Sequence, residues 1–108
     1  MEEANRMLIA NIDLPTADKE YPWALPKGTQ WFTLHARNGS AIRVAVESGK
    51  VADKVPPYFT LTPDAGWDER GFRINTRHGL PLYFACGTAG EVVEAFIGIH
   101  DPSLEEVK

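Results

Sequence analysis

The residues of this chain best suited to chemistry are its histidines, its cysteine and its serines, and their spacing prepares none of them for it. His35, His78 and His100 lie far apart, and none has a second His or Cys at ligand spacing. A metal-binding jelly roll would carry two histidines one residue apart on a strand, and that pair is absent. The acidic run Asp64-Ala-Gly-Trp-Asp68-Glu69 lacks the alternating oxygen ligands of a calcium loop and reads as a solvated turn. Ser40, Ser48 and Ser103 fall in loops or near a terminus, with no Gly-x-Ser-x-Gly elbow. Cys86 stands between Ala85 and Gly87 in an apolar run, where a buried, inert thiol is expected. Glu91 and Glu94 alternate to opposite faces of a strand and cannot act as an acid–base pair. Gly87-Thr-Ala-Gly90 has no lysine and leads into a strand, so it is no phosphate loop. The expectation is a protein without enzymatic activity, cofactor or metal.

The elements around these residues are short strands. In Trp31–Arg37, Phe32, Leu34 and Ala36 share one face while Trp31, Thr33, His35 and Arg37 share the other. Asn38-Gly39 follows, the strongest short hairpin signal, and beyond it Ile42, Val44 and Val46 alternate again. A hairpin is therefore expected here, and a second from Leu80 to Ile99 around Gly87–Gly90. Further strands are read at Met7–Leu14, at Lys19–Leu25 (an edge strand, because Pro22 cannot donate), and at Tyr58–Thr62. Trp67–Ile74 reads as a weaker strand with a bulge at Gly71. Ser48–Pro57, with Gly49 and Pro56-Pro57, reads as an exposed, mobile loop. Seven or eight short antiparallel strands without an amphipathic helix describe an all-β domain: a β-sandwich or small barrel of jelly-roll type. Residues 1–108 make a single domain, with 1–6 and 100–108 as flexible or contact arms.

The totals narrow the partners. A net charge of −4 with scattered basic residues leaves no footprint for nucleic acid. No apolar run approaches the roughly 20 residues needed to span a bilayer. Met1-Glu-Glu-Ala-Asn5 lacks the basic start and hydrophobic centre of a signal peptide, so synthesis in a cytoplasm is expected. One cysteine permits no internal disulfide.

Association is what remains. Three tryptophans are a heavy aromatic load for 108 residues. Trp31, beside His35 and Arg37, has the composition of a contact surface, unless a second sheet covers that face. The last strand is apolar on both sides, with Val93, Ala95, Ile97 and Ile99 on one and Val92, Phe96 and Gly98 on the other. Trp23, Trp31, His35, Arg37, Tyr58, Trp67, Phe96, Ile97 and Ile99 are the candidate interface residues. A carbohydrate- or receptor-binding module, stacking sugars on Trp31, Trp67 or Tyr58, is the alternative.

An ordered series of segments carries a resemblance. It comprises Ala10-Asn-Ile-Asp-Leu-Pro-Thr-Ala-Asp18, Tyr21, Ala24-Leu-Pro-Lys-Gly-Thr29, Ala36-Arg-Asn-Gly39 and Ile42-Arg-Val-Ala45. It continues through Tyr58-Phe-Thr-Leu61, Leu82-Tyr-Phe-Ala85 and Thr88-Ala-Gly-Glu-Val-Val-Glu94. In these the chain resembles small structural proteins of tailed bacteriophages and their prophage copies. The resemblance implies a virion component present in many copies, a capsid decoration (cement) protein before a tail, collar or head–tail junction component. The implied partners are the major capsid protein or other virion proteins, together with sister copies in a homo-oligomer. Gly98–Lys108 extends beyond where such proteins are expected to stop.

Overall fold

The computed structural model describes residues 5–62, 66–70, 74 and 79–100. These residues are all-β and form eight strands: β1 (Asn5–Leu14), β2 (Tyr21–Leu25), β3 (Thr29–Ala36), β4 (Ile42–Ala45), β5 (Phe59–Leu61), β6 (Gly66–Arg70), β7 (Leu80–Cys86) and β8 (Glu91–His100). They form two four-stranded sheets, β1-β8-β3-β6 and β2-β7-β4-β5, with every pairing antiparallel. The pairs β1–β8, β2–β7, β3–β6 and β4–β5 nest inside one another, so the chain is one long antiparallel ribbon rolled up on itself. That strand order is a jelly roll. Among the described residues no helix is long and apolar enough to cross a membrane.

This winding overturns both expected hairpins. β3 and β4 lie in different sheets, as do β7 and β8, so neither pair is hydrogen-bonded side by side. Asn38-Gly39 still turns the chain sharply, with Gly39 at φ 76° and its N–H donating to Ala36 O (3.3 Å). It turns a corner between sheets instead of closing a ladder. The reason lies in the two apolar faces. Phe32 and Leu34 on β3 and Ile42 and Val44 on β4 are all buried when the sheets stack face to face. Side by side in one isolated sheet they would stay wet.

The core is continuous between the sheets and includes Leu14, Leu34, Ile42, Phe84, Val93 and Ile97, all essentially without exposure. The alternation expected for β3 and β8 matches the inward set, and so do Ile42 and Val44 of β4. Val46, expected inward, lies beyond the end of β4 and is 60% exposed, and Ala45, expected outward, is buried against Val51. A register shift in β3 between Thr29 and Trp31 reverses the phase there, so Thr29 faces in and Trp31 out.

Three expectations about loops and arms are corrected. Ser48–Pro57 is no loose loop, because Val51 is fully buried against Ala45 and Ala85 on the outer face of the second sheet. Arg43 Nε donates to Val51 O (2.6 Å), and Glu20 accepts from Ser48 Oγ and Gly49 N–H (both 2.9 Å). The segment is a strap that roofs that sheet. The first arm, too, is shorter than expected, since Asn5 and Arg6 belong to β1. Asp68 and Glu69 stand on β6 and not in an acidic turn. The expected bulge at Gly71, His78 and the arm beyond His100 lie outside the described residues.

Candidate functional site

The strap roofs the second sheet, whereas no described segment lies over the outer face of the first. The side chains of that face follow from register. Met7 pairs with Gly98, Ile9 with Phe96 and Asn11 with Glu94 across β1–β8. Trp31 pairs with Gly98, Thr33 with Phe96 and His35 with Glu94 across β3–β8. Arg70 and Asp68 continue the Trp31 and Thr33 rows onto β6. Partners directly opposite in an antiparallel pair share a face, so these residues form one surface.

Its apolar half is built around Gly98. The Trp31 indole lies on that glycine and would overlap any Cβ there. Phe96 meets the indole edge-on (5.3 Å between centroids, 75°), and the Arg70 guanidinium stands 5.8 Å above it. Met7 and Ile9 complete the patch, 68% and 70% exposed, and Phe96 is 38% exposed. An antiparallel sheet that faced only water would carry polar residues in these rows. Contiguous apolar exposure of this kind marks an interaction surface.

Its polar half is a charge cluster. Glu94 accepts from His35 Nε2 (2.6 Å) and Arg37 Nε (2.7 Å). The bond from Arg37, then that from His35, holds the Glu94 carboxyl below the usual glutamate range. Thr33 Oγ1 donates to Asp68 beside it. Between the halves runs an open groove of about 390 Å³, lined by Ile9, Asn11, Thr33, His35, Glu94 and Phe96.

Four of the nine candidate residues therefore meet on this face: Trp31, His35, Arg37 and Phe96. The others do not. Ile97 and Ile99 are core residues, 0% and 3% exposed, because β8 is covered from within by the second sheet. Trp23 lies half-buried on edge strand β2, tilted against Phe84 (6.4 Å, 34°). Trp67 closes the opposite edge, between Phe32 (5.0 Å, 88°) and Phe59 of the other sheet (5.5 Å, 49°). Tyr58 packs on the strap cluster around Val51. Met7, Ile9, Glu94 and Arg70 were missed. A glycine within strand β8 was the one readable signal of close approach there.

Among the described residues no three His, Cys, Asp or Glu side chains converge on a metal-sized site. The Cys86 thiol is buried, donates to Ala41 O (3.3 Å) and accepts from Thr88 N–H (3.4 Å).

No protein-family model matches the chain, and no curated protein matches it. Among solved structures it is similar to a de novo designed double-stranded β-helix solved by solution NMR. The identity is 15%, the match covers 86% of this chain and 97% of that one, and the TM-score is 0.45. The assignment of the fold rests on strand order and register.

Gly98→Ala tests the architecture of the face. The new Cβ cannot share space with the indole, and Trp31 has solvent to swing into, so the side chain moves and the sheet stays. The expected cost is about 1 kcal/mol, the worth of an aromatic contact. Trp31 fluorescence should shift to the red as the indole becomes wet. An unchanged spectrum would mean that the indole does not rest on Gly98.

Proposed function

We propose that this chain is a non-enzymatic virion structural protein, of the capsid decoration type, which attaches to its shell through the outer face of sheet β1-β8-β3-β6. The observation that carries this reading is the asymmetry of the two sheets. One is roofed by its own strap, and the other presents Met7, Ile9, Phe96 and Trp31 beside a charged cluster. Aromatic anchors rimmed by charged pairs are the composition of contact surfaces that bury against a partner. The resemblance to small phage structural proteins supplies the kind of partner, a shell protein present in many copies. On such a lattice, modest contacts add through multivalency.

A second observation bears on the carbohydrate-binding alternative. Tyr58 and Trp67 come together with Phe59 and Val46 around an open recess of about 300 Å³. Its walls are almost wholly apolar, whereas sugar recognition requires polar groups placed to meet hydroxyls. The decoration reading is therefore preferred.

Cosedimentation with shells assembled from the major capsid protein of the same genome tests it. Wild type should pellet with the shells. Trp31→Ala should stay in the supernatant while melting within a few degrees of wild type, the shift expected for about 1 kcal/mol in a domain of this size. A wild-type chain that never pellets overturns the reading, and so does a Trp31→Ala variant that binds as well as wild type.

A further inference from the structure

Four strands form the edges of the two sheets: β1 and β6 of one, β2 and β5 of the other. Three of them are blunted against the addition of a further strand. β5 is three residues long. β2 has five residues, one of them Pro22, which has no N–H to give. β6 also has five, of which Asp68, Glu69 and Arg70 are charged. β1 differs in every respect. It runs for ten residues without a proline and pairs along its whole length with β8. Its other side borders no strand among the described residues. Met7, Leu8 and Ile9 at its centre are exposed, and its charged residues, Arg6 and Asp13, stand toward opposite ends.

Such a row of main-chain donors and acceptors is complemented by another strand. We infer that the strand is β1 of a second copy of this chain, added antiparallel about a two-fold axis normal to the sheet. Two features select the second copy. The axis joins outer face to outer face, so Met7 and Ile9 of both copies form one apolar band with Phe96 on either side. The union also closes. Its strand order is β6-β3-β8-β1-β1-β8-β3-β6, and both new edges are the short, charged β6, so addition stops at two copies. The pairing does not rest on the virion reading, and Trp31 with its Glu94 cluster stays open to a different partner.

Sedimentation equilibrium on the full chain tests the inference. Wild type should approach a mass of about 24 kDa, twice the 12.0 kDa of the chain. The double variant Met7→Lys/Ile9→Lys, at two exposed positions, should sediment near 12 kDa. Amide hydrogen exchange distinguishes edge pairing from stacking of faces: β1 N–H groups directed away from β8 should be protected in wild type and open in the variant. Trp31→Ala should remain dimeric, which separates this contact from shell attachment. The inference is overturned by a wild-type chain still monomeric at about 1 mM, where a micromolar dimer would be complete. A dimer that survives both lysines, or one whose outward β1 amides exchange freely, overturns it equally.

Discussion

Leu34→Asp is expected to abolish cooperative folding. Leu34 has no exposed surface and stands at the middle of β3, opposite Ala95 of β8 on one side and Trp67 of β6 on the other. The substitution removes a packed side chain, worth about 2–5 kcal/mol. It also places a carboxylate where no cation or donor can reach it, a further cost of several kcal/mol unless it takes up a proton. Together these match the about 5–15 kcal/mol that holds a domain of this kind folded. Circular dichroism should show no sigmoidal melt, and amide proton shifts should collapse toward random-coil values. The control is Thr33→Lys, one residue away on the outer face and beside Asp68. It should change stability by no more than about 0.5 kcal/mol. A folded Leu34→Asp, or an unfolded Thr33→Lys, would reverse the inside and outside of the strand.

That contrast depends on strand phase, and phase is what the sequence makes legible. Phe32, Leu34 and Ala36 on one side of β3, or Val93, Ala95 and Ile97 on one side of β8, mark a buried face by alternation alone. So did the number of strands, most of their limits and the all-β jelly-roll class. Alternation says which face is buried but nothing of which strand lies alongside. Asn38-Gly39 illustrates the limit. It supplies the positive φ that a tight hairpin needs, but a corner between stacked sheets needs a sharp turn as well. The choice between them is made by residues more than fifty positions away in β8. The strap was equally hidden, because Val51 and Val55 are two valines in a loop with Gly49 and two prolines, and no local pattern marks Val51 as the buried one. Only the folded chain shows Ala45 and Ala85 waiting beneath it.

The candidate site divides the same way. Trp31, His35 and Arg37 were readable as an outer face because they alternate with core residues. Phe96 belongs with them through its T-shaped contact with Trp31, across two neighbouring strands. Ile97 and Ile99 were misread because a strand apolar on both sides gives no sign of which side its own domain covers. The ion cluster on Glu94 joins residues 59 and 57 positions apart, a distance no local spacing rule spans.

The same long-range closure makes Glu91→Ala the second large effect, an expected loss of about 2–3 kcal/mol and a melting temperature lower by roughly 10–20 °C. Glu91 is 1% exposed, yet every buried side-chain polar atom among the described residues has a partner. Its carboxylate accepts from Asn38 N–H (2.9 Å), Asn38 Nδ2 (3.1 Å), Ser40 N–H (3.1 Å) and Val92 N–H (2.8 Å). It thus ties the β3–β4 corner to the start of β8, the two places where the chain passes between sheets instead of forming the hairpins its turns suggest. Alanine leaves those donors facing a void. Because Asn38 lies at the surface, water can recover part of the loss, which keeps the estimate well below that for Leu34→Asp. The sign of the pH dependence follows from the same bonds. Burial works against the charge, but the donors from Val92, Asn38 and Ser40 outweigh it and hold the Glu91 carboxyl below the usual glutamate range. A carboxylate with a depressed folded value contributes its full stability above the unfolded value, about 4.3, and loses it as pH falls through the folded one. Glu91→Gln, which cannot ionise, lacks that dependence. Denaturant melts of wild type and Glu91→Gln should therefore differ most near neutrality and draw together as pH falls below about 4. A gap that stays constant into acid would show that the corner is held by shape and not by the charge of Glu91.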